Sequence, residues 1–90
     1  MSEIIRRYGI ASEQCPDGPN YMLFYLAFRS DGSMCVLRRK TSERPQEEQD
    51  FEISPAEFDG YSVNGTSLRA IVVKALEQIL PPSIVVLNSN

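Results

Sequence analysis

A chain of 90 residues with 42% hydrophobic and 23% charged residues has room for one core, and its composition is neither disordered nor fibrous. Its formal net charge of −3 argues against the broad electropositive surface that holds a nucleic-acid backbone, and is too slight for a nucleic-acid mimic. With no histidine, no tryptophan, no phosphate loop and no metal-ligand spacing, the usual carriers of acid–base, metal and nucleotide chemistry are missing.

In chain order, the run Glu3–Ile10 is too short to reveal its period and is read as a strand. Residues Ala11–Asn20 contain Cys15-Pro16-Asp17-Gly18-Pro19-Asn20, and their two prolines and one glycine predict a loop. Tyr21–Phe28 and Met34–Lys40, rich in aromatic and aliphatic residues and separated by Ser30-Asp31-Gly32-Ser33, predict a β-hairpin with Asp31 and Gly32 as the central pair of a type I′ turn. Thr41–Asp50 is polar and broken by Pro45, so it reads as an exposed connection. Phe51-Glu52-Ile53 alternates as a half-buried strand does.

Ser54-Pro55-Ala56-Glu57 has the order of a helix start: a hydroxyl cap, a proline at the first helical position, and a carboxylate that reaches back to the cap amide. A short helix ending near Gly60 follows from it. Asn64-Gly65 predicts a second turn. Leu68, Val72, Ala75, Leu76 and Ile79 then fall on one face of a helix spanning Ser67–Leu80, which Pro81-Pro82 terminates. Ile84–Leu87 is a last β-prone run.

A two-residue turn at Asp31-Gly32 sets the pairing and therefore the faces, because side chains alternate along a strand. One face then holds Met22, Phe24, Leu26 and Phe28 with Cys35, Leu37, Arg39 and Thr41, and receives the helix, joined by Phe51 and Ile53. The opposite face holds Tyr21, Leu23, Tyr25 and Ala27 with Val36, Arg38, Lys40 and Ser42 and faces solvent or a partner. Aromatic rings beside cations suit base stacking on a single strand. Asp50 and Glu52 project to the same face, however, and pair with Arg38 and Lys40 as a charge ladder.

The acidic residues of the connection lack calcium-loop spacing and read as solvated surface. Cys15 and Cys35 read as unactivated free thiols, since no histidine can serve as their base. No apolar stretch reaches the roughly 18 residues that cross a bilayer, and Met1–Arg7 lacks the order of a secretory signal, so no membrane and a cytoplasmic location are expected. Ile84–Leu87 presents branched side chains that can pair in cis, with a second copy, or with a partner's sheet edge.

These readings define one α+β domain over residues 1–90: a three- to four-stranded antiparallel sheet built on a central hairpin, one long helix on one face and one short helix. The expected function is that of a non-enzymatic, cofactor-free and metal-free regulatory or accessory domain. It binds another protein, inhibiting or scaffolding it, with homodimers among the assemblies the tail permits. Its partner-binding residues are Tyr21, Leu23, Tyr25, Arg38, Lys40, Ile84 and Val86. A single-stranded nucleic-acid module using the aromatic and basic hairpin face is the second reading.

Overall fold

The computed structural model describes residues 2–79, and Ile84–Leu87 lies outside them. The architecture is mixed α+β and mostly strand. Strands β1 (Ile4–Gln14), β2 (Tyr21–Arg29), β3 (Met34–Lys40) and β4 (Asp50–Ile53) form an antiparallel sheet in the order β1-β2-β3-β4. A second sheet pairs β5 (Ser62–Val63) with β6 (Thr66–Ser67), and helix α1 spans Leu68–Ile79.

β1 is longer than the sequence suggests, because Ala11–Gln14, expected in a loop, continue the strand opposite Phe24–Tyr21. The extension works through a bulge at Ile10, one of two in β1. An extra residue re-aims the chain, and here both Ile10 and Ala11 pack against the core. The loop expected over Ala11–Asn20 therefore begins only at Cys15, where Pro16 and Pro19 stop the ladder.

The hairpin reverses at the expected place with a different register. The amide of Gly32 donates to the Arg29 carbonyl at 3.0 Å and that of Arg29 to the Ser33 carbonyl at 2.9 Å, so the loop is Ser30-Asp31-Gly32. Gly32 has φ +89° and Asp31 is not among the positive-φ residues, which fits a type I turn followed by a left-handed glycine rather than type I′. Asp31 Oδ1 accepts from the Ser33 amide at 2.9 Å and its hydroxyl at 2.6 Å, and the Ser33 hydroxyl, then the Ser2 hydroxyl and the Ser33 amide, hold the Asp31 carboxyl down at about 2.

Leu26 consequently pairs with Val36, Phe24 with Arg38 and Met22 with Lys40. A one-residue slip inverts a whole strand, so every β3 side chain lies on the face opposite to the expected one. Val36 takes the core place expected for Leu37, and Cys35 and Leu37 move to the other face. The type I′ geometry occurs instead at Asn64-Gly65, with φ of 51° and 84°, between β5 and β6.

Helix α1 lies over the expected face of β2. Leu68, Val72 and Ala75 bury against Phe24, Leu26, Val36, Ile53 and Val63, with Leu76 and Ile79 partly buried beside them. Ser67 caps the helix, its Oγ accepting from the Ala70 amide at 3.2 Å. Ser54-Pro55 opens a 3₁₀ helix, Pro55–Gly60, in which the Ser54 amide donates to Glu57 Oε2 at 3.0 Å, as the sequence implies. Pro45–Glu47 adds a single 3₁₀ turn to the polar connection.

Candidate functional site

Among the described residues the sheet carries a layer on one face, and the other face is where the predicted binding residues divide. Tyr21, Leu23 and Tyr25 lie there, on alternate positions of β2. Arg38 and Lys40 do not: the register places them on the helix side, opposite Phe24 and Met22. Lys40 approaches Asp17 at 3.7 Å, an exposed pair. Ile84 and Val86 lie outside the described residues.

The cation beside the tyrosines is Arg39. It stacks 5.8 Å from the Tyr25 ring centroid and grips Asp50 with two hydrogen bonds, Nε to Oδ1 at 2.6 Å and Nη2 to Oδ2 at 3.1 Å. The bidentate fork fixes the guanidinium in place. Arg7, from the far edge strand β1, reaches the same carboxylate at 2.7 Å. Three strand spacings of about 4.8 Å separate β1 from β4 on a flat sheet. Sheet twist and bulges of the kind found in β1 shorten such a span on one side. Arg29 of β2 reaches past Cys35 to Glu52 of β4, and Glu48 lies 3.9 Å from Arg39.

The charge ladder expected for Asp50 and Glu52 thus exists, with Arg39, Arg7 and Arg29 as its cations in place of Arg38 and Lys40. It also acts as a lid. Ala27 and Leu37 face this side, yet are 0% and 4% exposed. Long arginine stems cover apolar surface while their heads stay wet, and such a network accounts for the burial of this small apolar strip, over which no helix lies among the described residues. Burial, opposed by Arg29, pushes the Cys35 thiol up, away from the activated thiolate a nucleophile needs.

In the sequence Arg7 stands beside Arg6 with nothing local to mark its partner. Its role depends on a β1 register that two bulges set, and no local pattern announces those. Beside the lid, Tyr21 is 44% exposed while Leu23 and Tyr25 are partly buried, which leaves an aromatic and aliphatic strip in partial contact with solvent.

The electrostatics predict an acid response. The Arg39 hydrogen bonds and then Arg7 hold the Asp50 carboxyl below the ordinary range, and Arg29 does the same to Glu52. A carboxyl depressed in the folded state adds stability that is complete above its unfolded value, about 4. That stability is lost as pH falls through the lower folded value. Urea midpoints measured from neutrality to acid are therefore expected to drop below about pH 4, and Asp50→Asn is expected to flatten that drop. Asp50→Ala should cost about 1–2 kcal/mol at neutral pH, between an exposed ion pair and a shielded charged hydrogen bond. An Asp50→Asn profile as steep as that of the parent would contradict the network.

No group of acidic and cysteine side chains among the described residues is arranged to hold a metal ion, and no helix among them is long and apolar enough to cross a membrane. Compared with models of protein families, with curated proteins and with solved structures, the chain has no significant match.

Proposed function

We propose that this chain is a non-enzymatic protein-interaction domain that docks another protein on the open face of its sheet through Tyr21, Leu23 and Tyr25, with Arg39 as the adjoining cation. The observation that carries the reading is the neutralised lid. On that face Arg7, Arg29 and Arg39 each have a carboxylate partner, so the surface next to the tyrosines is polar, ordered and close to charge balance. Partner proteins meet such surfaces with aromatic anchors ringed by polar groups. A phosphate backbone needs cations it can claim, and here each guanidinium would first have to leave its carboxylate.

Tyrosines at a surface suit this role because they contribute large contact area with few torsions to freeze. Affinity capture from the native source, using the parent chain beside Leu23→Asp and Tyr25→Ser, tests the reading. A specific protein retained by the parent and weakened about tenfold or more by either substitution is expected, the size of a central anchor's loss. The far-ultraviolet circular dichroism of both variants should match the parent. Single-stranded RNA or DNA retained at low salt, and released by the same substitutions, would replace this reading with the nucleic-acid one.

A further inference from the structure

On the helix side of the sheet, Arg38 is a partly enclosed cation with no counter-charge among the described residues. Arg38 stands in one cross-strand row between Phe24 and Phe51, its guanidinium 5.4 Å from the Phe51 ring centroid. Arg7, Arg29, Arg39, Arg44 and Arg69 each have a carboxylate within 4.0 Å, whereas Arg38, like the Arg6 and Lys74 side chains, has none among the described residues, and of these three it is Arg38 that has a nitrogen shut away from solvent. Its Nε is sealed from solvent without a hydrogen-bond partner. Buried polar atoms in that condition are rare, and more costly when they belong to a charged group.

Arg38 borders a cleft of about 200 Å³, walled by Cys15, Pro16, Met22, Phe24 and Tyr61. An apolar void of about 150 Å³ accepts a benzene molecule, while sites for drug-sized ligands start near 300 Å³. The space therefore suits one ring and a short substituent. We propose that this cleft binds a small single-ring carboxylate, its ring against Met22 and Phe24 and its charge paired with the Arg38 guanidinium. The ligand supplies the anion that the fold withholds. Glu13 also borders the cleft, its Oε1 accepting from the Asn64 amide at 3.1 Å, and as a like charge it opposes the ligand. The site lies across the sheet from the tyrosine strip and stands independently of it.

The test is a titration of the isotopically labelled full chain with phenylacetate, against its neutral isostere phenylacetamide, followed by nuclear magnetic resonance. The Arg38 Nε–Hε resonance and the Cys15 and Tyr61 amides are expected to shift saturably with the acid and little with the amide. Arg38→Gln should weaken binding about tenfold, as loss of a charge-assisted pair does, and Arg38→Lys by less. Glu13→Gln, which keeps an acceptor for Asn64, should tighten it. Equal responses to acid and amide, an unmoved Arg38 resonance, or Arg38→Gln binding like the parent would overturn the assignment. Should Arg38→Gln not fold, the acid–amide comparison on the parent and on Glu13→Gln decides it alone.

Discussion

Leu26→Ala is expected to destabilise the fold by about 2–5 kcal/mol, the range for deleting a buried leucine side chain. Leu26 is 0% exposed and packs in the cluster that joins β2, β3, β4 and the helix. The sheet on its other side is rigid, so little can collapse into the space left behind. The loss exceeds simple transfer of the missing atoms because the cavity's lining forfeits its own contacts. In a domain of this size each kilocalorie moves the thermal midpoint by roughly 4–8 °C, and a chain stabilised by only about 5–13 kcal/mol in total could be largely unfolded at physiological temperature. Urea denaturation of Leu26→Ala beside the exposed substitution Val73→Ala measures this. A Leu26→Ala loss under about 1 kcal/mol would mean that the core is not where the structure puts it.

Gly32→Val should cost about 1–3 kcal/mol, the strain of holding a β-branched residue in the left-handed region. Nothing lies within 4 Å of a Cβ built there, so the cost is conformational and not a clash. Asp31→Val separates the two turn geometries. A type I′ turn requires positive φ at both central residues, so there valine at 31 would be as costly as at 32. In the observed three-residue loop Asp31→Val loses exposed hydrogen bonds to Ser33 and Ser2, a contribution smaller than the strain at 32. Equal losses at the two positions, by thermal or chemical melting, would restore the two-residue turn and with it the opposite register.

That turn shows why the hairpin was legible in the sequence while its register was not. Asp31-Gly32 and Asn64-Gly65 look alike as dipeptides, yet only the second is type I′. The first is diverted by the Asp31 carboxylate, which binds both the amide and the hydroxyl of Ser33 and so favours the longer loop. The strand that follows offers no correction. Met34, Cys35, Val36 and Leu37 are apolar at both parities and Arg38, Arg39 and Lys40 are cationic at both, so either register buries a plausible face. What separates the registers lies far along the chain: Ile53 opposite Val36 in the core, and Asp50 opposite Arg39 on the open side.

The candidate binding strip divides in the same way. Tyr21, Leu23 and Tyr25 share a face in any register, since all three belong to one strand, and their placement away from the helix follows from Phe24 and Leu26 being the residues that fill the core. Arg38 and Lys40 were assigned by pairing across the turn, and the one-residue slip carried them to the other side. Arg38 then lost the carboxylate it was expected to meet, and that loss creates the unpaired cation in the cleft.

From its sequence alone the chain settled the elements whose causes are local. The helix follows from a 3.6-residue apolar stripe stopped by Pro81-Pro82, the 3₁₀ start from the serine–proline pair at 54 and 55, and the β2 faces from period-two alternation. Only the tertiary structure decided how far β1 runs, which face each β3 side chain takes, and that Arg7 reaches across the sheet to Asp50. Those features depend on bulges and ion pairs between residues distant in sequence. Each is a small energy that matters only once the strands already lie side by side, so no window of neighbouring residues contains it.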